Sequence, residues 1–206
     1  MNEKFFSLPE EKQLAMINAG YRVFSRNSYK KSPMSEIAAE AGISKSLLFH
    51  YFHNKKELYL FLLHNAAETT YTCLHEYKCY EGENIFHIMR RGLKAKVSLM
   101  KKYPDITAFT LKSYYERDPE ICEDIQQLIG RVASFEANAK LLKISPDCFV
   151  EGLDLKMMFT DMYLASEGYL WEKIQQRRLN VDEMEKDFEE MIDFWEKIYM
   201  RKEGEA

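Results

Sequence analysis

Apolar positions recur along this chain at helical spacing from end to end, and nowhere in the strict alternation of a half-buried strand. Leu14, Ile17, Tyr21 and Phe24 follow one another at intervals of three and four residues, which predicts an amphipathic helix beginning after Ser7-Leu8-Pro9-Glu10. Between Ser32 and Phe52 the pattern shortens to two brief helices around a tight turn. Ser32 is placed to cap the first, with Pro33 at its first position, where no amide donor is needed. Ile37, Ala38 and Ala41 make one small apolar face, and Gly42 stands where a left-handed residue would end the helix. Ser44 is placed to cap the second helix. There Leu48 and Phe52, four apart, face inward, and Lys45, Ser46, Phe49 and His50 share the opposite side.

Beyond this point the helices lengthen. Asn54-Lys55-Lys56-Glu57 has the form of a capping box with asparagine as cap, opening a helix with Leu58, Phe61, Leu62, Ala66 and Thr69 on one side that continues towards Tyr77. Glu81-Gly82-Glu83-Asn84 breaks the pattern, and another helix follows to Lys102. The chain restarts at Tyr103-Pro104-Asp105 and at Asp118-Pro119-Glu120, from which a helix is expected to reach Leu142. Lys143 to Gly152 reads as a loop. Asp154 to Arg178 is apolar nearly all round: Met158, Met162, Ala165 and Tyr169 form one stripe, and Phe159, Tyr163 and Leu170 another. Such a helix is expected to be buried on two sides. In the last helix Val181, Met184, Phe188, Met191, Trp195 and Ile198 repeat as a heptad seam. The expected fold is all-α with about nine helices: a helix-turn-helix unit over 1–60, its motif at about 33–52, and a helical bundle over 61–206.

Two short helices crossing at small residues are the arithmetic of a helix-turn-helix, whose second helix enters the major groove of DNA. The run Ile37-Ala38 … Ala41-Gly42-Ile43-Ser44-Lys45 … Leu48-Phe49-His50-Tyr51-Phe52 … Asn54-Lys55-Lys56-Glu57-Leu58 closely resembles the amino-terminal domain of tetracycline-repressor-type (TetR) regulators, over roughly residues 10 to 60. Two positions depart from the family's habit: Phe49 stands where a tyrosine hydroxyl often contacts phosphate, and Leu47 where a small hydroxyl residue is common. The outward face gives a DNA-binding set of Ser35, Lys45, Ser46, Leu47, Phe49, His50, Tyr51 and Lys55. Lys45 and His50 are placed for base edges, Ser46 and Leu47 over bases, and Tyr51 and Lys55 for phosphates. The resemblance implies a regulator, most simply a repressor, that binds a palindromic operator on double-stranded DNA as a homodimer. It also implies pairing of two copies through the last two helices, here with Met184, Phe188, Met191, Trp195 and Ile198 in the interface.

Charge changes the picture only when divided. The net charge of −4 splits into nine Lys/Arg against six Asp/Glu over residues 1–60, or +3, and twenty against twenty-seven over the remainder, or −7. The basic excess coincides with the proposed DNA-reading unit, at Arg26, Lys30, Lys31, Lys45, Lys55 and Lys56. It speaks against the alternative of a helical adaptor whose helix-turn-helix no longer meets DNA. Met1 to Phe6 carries no signal-like apolar stretch and no apolar run is long enough for a bilayer, so a cytoplasmic protein without a membrane partner is expected. Cys73, Cys79, Cys122 and Cys148 form no C-x-x-C pair and read as reduced thiols.

No nucleophile elbow, phosphate-cradling glycine loop or H-E-x-x-H is present, so neither catalysis nor a cofactor is expected. His75, Cys79, Glu83 and His87 recur every four residues, but Gly82 and Asn84 interrupt the helix that would align them on a metal. Aromatic and methionine residues between Phe86 and Tyr163, Phe135 among them, supply core and, in part, a cavity. Phe109, Tyr114, Met158, Met162 and Tyr163 are the candidate lining for a small apolar or aromatic effector, which the family resemblance also implies. Asp161 and Glu167 interrupt the apolar helix, where each needs a cationic ligand or an Arg or Lys partner.

Overall fold

The computed structural model describes residues 3–82, 84–128 and 145–201. Its helices are α1 (Glu10–Arg26), α2 (Met34–Glu40), α3 (Lys45–Tyr51), α4 (Lys55–Glu76), α5 (Ile85–Lys102), α6 (Ile106–Tyr114), α7 (described over 122–128), α8 (Leu155–Gln175) and α9 (Val181–Tyr199). Single 3-10 turns cover Glu3–Phe5 and Pro146–Cys148. Among the described residues no strand forms, and the one β-type contact is a bridge between Phe149 and Met200. No described helix is long and apolar enough to cross a membrane. Phe135 and the expected end of the α7 helix at Leu142 lie outside the described residues.

Local chemistry sets most helix starts. The side chains of Ser44, Asn54, Asn84, Asp154 and Asn180 accept the first free amides of α3, α4, α5, α8 and α9. Gly42 closes α2 with φ +67° in open space, so its backbone rather than crowding calls for glycine. Ser32 departs from the expectation. It is fully buried, and its hydroxyl donates to Ser28 O at 2.9 Å, closing the connector before α2; Pro33 O accepts the first bond of that helix.

Compactness divides the chain differently from the motif. One unit comprises 1–71 and 99–137, the other 72–98 and 138–206, so α4 and α5 each contribute to both. In the first unit α1 packs on α2 and α6, and α2 on α3. Its centre is a ring cluster: Tyr21 and Phe24 of α1, Tyr59 of α4 and Phe109 of α6, with Tyr59–Phe24 centroids 4.8 Å apart and Tyr21–Phe109 5.0 Å. The buried hydroxyls are satisfied: Tyr59 donates to Ser113 Oγ at 2.7 Å and Tyr21 to Asn65 Oδ1 at 2.9 Å. Burial drives the pKa of both phenols upward. A second cluster lies under α3, where Phe5 touches Phe52 and Phe61 at centroid distances of 5.1 and 5.2 Å.

The other unit packs the first part of α5, α8 and α9 together. Arg90 on α5 meets Glu189, Asp193 and Glu196 of α9. Tyr169 on α8 donates to Asp187 at 2.6 Å and sets its ring edge against Phe188. The apolar seam of α9 is thereby consumed within one chain: Met184, Phe188 and Trp195 are buried, together with Ile192. α8 is buried along Met158, Met162 and Leu170, while Phe159 and Tyr163 of the second stripe are exposed, as are Met157 and Leu164, so the expected burial on two sides is not met within the single chain.

Helix α1 approaches α4 closely at Gly20, where an added Cβ would stand 2.5 Å from the buried Leu62 Cδ1. Leu62→Ala is expected to cost about 2–5 kcal/mol in urea unfolding. The cost should fall by about 0.5–3 kcal/mol when Gly20→Ala is also present, because the new methyl enters the vacated space. Strict additivity of the two changes would show that the helices are not in contact there.

Candidate nucleic-acid interface

The outward face of α3 is built from its inward one. Leu48 and Phe52 have no exposed surface and fix the helix on the second aromatic cluster, which turns Lys45, Ser46, Leu47, Phe49 and His50 outward. Ser44 Oγ accepts from Leu47 N at 3.1 Å and lies 3.0 Å from Ser46 Oγ, so the first turn is held by its own hydroxyls. Lys45 Nζ lies 5.8 Å from the centroid of the Phe49 ring, four residues on, and Leu47 and Phe49 are both large apolar residues in the open. Ser35 is exposed in the first turn of α2. Tyr51 is different: its ring is buried against Phe5, at 6.0 Å between centroids, and its hydroxyl makes no hydrogen bond to a described residue.

The cations of this unit fall into two groups. Arg26, Lys30, Lys31 and Lys45 are exposed and pair with no carboxylate among the described residues. Lys55 and Lys56 are engaged by other groups of the chain, Lys56 at the surface. Lys56 Nζ lies 2.7 Å from Asp124 Oδ2, a hydrogen bond that raises the lysine's pKa. Lys55 Nζ donates to Tyr29 O at 2.9 Å and Lys30 O at 3.4 Å, and stands 4.2 Å from the Tyr29 ring centroid. As placed, Lys55 ties the α1–α2 connector to the start of α4.

Tyr29 is the residue that periodicity did not find. It is almost completely buried within a connector that otherwise reads as polar and basic. Its amide donates to Glu116 Oε2 and its hydroxyl to Glu120 Oε1, both at 2.8 Å, and its ring packs edge-on against Tyr59 at 5.4 Å. Burial, and then the Glu120 bond, push its pKa up. Similar ties run along α1. Lys112 Nζ donates to Ser25 O, Asn18 Nδ2 donates to Lys102 O, and Arg22 reaches Glu40 at 3.1 Å and Asp105 at 3.4 Å. The three-helix reading unit is therefore fastened at several points to α6 and the segment after it.

The remaining sequence-derived sites disperse. Phe109 sits in the packed ring cluster of the first unit, and Tyr114, at the end of α6, is exposed with its edge to Tyr115. Met158 and Met162 are buried in the other unit, while Tyr163 lies on the exposed side of α8. Of the five, Phe109 and Tyr114 belong to the first unit and Met158, Met162 and Tyr163 to the other. Asp161 is exposed and accepts from the Tyr199 hydroxyl at 3.1 Å, so its carboxylate stays in water and has no need of the cationic partner expected for it. Of the α9 seam, Met191 is half-buried and Ile198 exposed; the other three are core. α4 ends at Glu76 and α5 begins at Ile85, so His75 and His87 share no helix, and Glu83 lies outside the described residues. Among the described residues no three His, Cys, Asp or Glu side chains are grouped to hold a metal ion. The four cysteines form no disulfide, and burial pushes the Cys73 and Cys79 thiols up.

Comparison with known proteins agrees with this geometry. Residues 16–61, which carry α1 to α3 and the start of α4, match the family model for bacterial regulatory proteins of the tetR family. An uncharacterized HTH-type transcriptional regulator, YuxN of Bacillus subtilis strain 168, is 25% identical over 123 residues. That match spans 60% of this chain and 41% of YuxN, so the chain spans less than half the length of that curated relative. Among solved structures, a TetR family transcriptional regulator from Chloroflexus aurantiacus J-10-fl superposes with a TM-score of 0.67 at 23% identity, covering 98% of this chain and 99% of that one. The transcriptional regulator FadR of Bacillus subtilis, solved in complex with stearoyl-CoA, gives 0.56 at 17% identity over 86% and 96%. These last two likenesses establish the fold.

The engagement of Lys55 has a measurable consequence. Lys55→Ala is expected to lower the stability of the reading unit by about 1–3 kcal/mol, from the lost charged hydrogen bonds and ring contact. Lys45→Ala, at an exposed site, should stay within about 0.5 kcal/mol of the parent. Urea unfolding of the two variants side by side checks the contrast.

Proposed function

We propose that this chain, whose residues 16–61 match the family model for bacterial regulatory proteins of the tetR family, is a ligand-responsive repressor that binds a palindromic operator as a homodimer. The observation that carries the reading is the outward face of α3: an unpaired Lys45, the Ser46 hydroxyl and two exposed apolar side chains on a helix seated by Leu48 and Phe52. Lys45 and His50 reach base edges, Ser46 and Leu47 lie over bases, and the free hydroxyl of Tyr51 meets phosphate in place of the one Phe49 lacks. Arg26, Lys30 and Lys31 add sequence-independent attraction to the backbone. Lys55 acts here by holding the connector, so its contribution to phosphate binding is indirect.

Two copies associate through α8 and α9. Supporting this are the exposed Met157 and Leu164, seven apart on α8, and Phe194 and Ile198, four apart on α9, all uncovered in the single chain. Two-fold pairing places the two α3 helices on half-sites about one helical turn, or a multiple of it, apart. An effector bound in the unit containing α8 and α9 would act by favouring a spacing that no longer fits, transmitted through α4 and α5, which belong to both units. The stearoyl-CoA complex of FadR, a protein of like fold, supports a ligand with a long apolar part.

Footprinting on the DNA upstream of its own gene should reveal a palindrome, and Lys45→Ala should relax preference at one position of each half-site by about 1–3 kcal/mol. Equal losses on specific and random DNA would remove Lys45 from the reading role. Analytical ultracentrifugation should give a dimer at micromolar concentration that Leu164→Asp or Phe194→Asp splits without unfolding. Trp195→Ala, by contrast, should cost about 3–5 kcal/mol of protomer stability. A monomer that binds the palindrome tightly would overturn the dimer reading.

A further inference from the structure

Helix α5 carries two cations towards α9 and treats them oppositely. Arg90 is saturated, with Glu189 at 3.4 Å, Asp193 at 2.5 Å and Glu196 at 2.7 Å. Burial works against its charge, but the bonds to Asp193 and Glu196 outweigh it and raise its pKa. Lys96, further along the same helix, meets a ring instead of a carboxylate: its Nζ lies 6.0 Å from the centroid of Phe188. It makes no hydrogen bond or ion pair with any described residue. Lys96 is half-buried, and this partial loss of water pushes its pKa below the usual lysine range.

An ammonium withdrawn from water without a counter-ion is unfavourable, and one aromatic face at that distance compensates only weakly. The acidic residues flanking Phe188 in the chain are engaged elsewhere, Asp187 by Tyr169 and Lys173 and Glu189 by Arg90. One turn earlier on the same side of α5, Gly92 is half-buried, and a Cβ built there would meet nothing within 4 Å. Glycine is disfavoured inside a helix, and here it leaves the surface next to the ammonium unfilled. Leu93 and Phe188 supply buried apolar neighbours in chain and in space. The combination is a positive charge with no carboxylate partner among the described residues, beside an aromatic ring and open room.

We propose that Lys96 anchors the anionic head, a carboxylate or a phosphate, of an otherwise apolar effector bound beside Gly92 and Phe188. The proposal rests on the ligand-responsive reading above and gives its effector a charge that the candidate lining in the sequence did not contain. A bound ligand would complete the exclusion of water from this half-buried ammonium and so strengthen its salt bridge, so that the head group, and not the chain alone, sets affinity.

Calorimetric titration of the full chain with dodecanoate, dodecanoyl-CoA and the neutral methyl dodecanoate tests it. At least one anion should bind about tenfold or more tighter than the ester. A carboxylate source is indicated by dodecanoate and a phosphate source by the coenzyme A thioester. Lys96→Met keeps the stem and removes the charge; it should bring the preferred anion to the level of the ester while leaving the ester unchanged, and Lys96→Arg should restore part of the preference. Thermal denaturation of the variants confirms that they remain folded. Unchanged anion preference in Lys96→Met, or no anion that outbinds the ester in the parent, overturns the proposal. Release of operator DNA by neutral or cationic compounds with no response to the anions would also overturn it while leaving the ligand-responsive reading intact. Lys96-dependent anion binding that never releases DNA would sustain the site and remove that regulatory reading instead.

Discussion

The first unit depends on one packing event: the closure of α6 on α1 and α4 around Tyr59 and Phe109. Tyr59 touches Phe24, Tyr29 and Phe109 and donates to Ser113, so one side chain joins α1, the connector, α4 and α6. Each ring brings a large apolar area out of water, and edge-to-face geometry adds roughly 0.5–1.5 kcal/mol per pair. The polar ties around it, from Tyr29 to Glu116 and Glu120 and from Lys112 to Ser25, are placed once this core has formed. α3 owes its orientation to the same ordering, because it is seated on Phe52 and Phe5 at the edge of a unit that α6 completes.

Where an element is specified by its own residues, the chain declared it. The starts of α3, α4, α8 and α9 are visible because Ser44, Asn54, Asp154 and Asn180 bond to amides two or three residues away. The outward and inward faces of α3 follow from a spacing of four. Ser32 has the same chemistry as Ser44 but a nearer acceptor in Ser28 O, and no rule of spacing decides between the two. Phe5 lies in a single 3-10 turn, too short for any period to mark it as core.

The site residues show the same boundary between local and distant causes. A heptad stripe on α9 announces a buried seam, yet Met184, Phe188 and Trp195 are buried within the same subunit, and spacing cannot name the filler of a groove. Lys55 reads as a phosphate contact until Tyr29 is seen beneath it. Lys96, in the run Lys94-Ala95-Lys96, is indistinguishable by sequence from a solvated surface lysine, because what sets it apart is the engagement of distant residues: Asp187 with Tyr169 and Lys173, and Glu189 with Arg90.

The interleaving of the two units bears on how the protein comes into being. Phe109 is 50 residues beyond Tyr59 in the chain, an interval of about 3–10 s at ordinary rates of translation. Throughout that interval α1 and the start of α4, with Tyr59, have been made, while the ring surfaces they will bury lack Phe109. The reading helices thus leave the ribosome well ahead of the element that fixes them, and the nascent chain presents a sticky aromatic face to the cell for seconds. Completion of Phe109, and not of the helices it covers, is therefore the point in synthesis from which the ring cluster of Tyr21, Phe24 and Tyr59 can close.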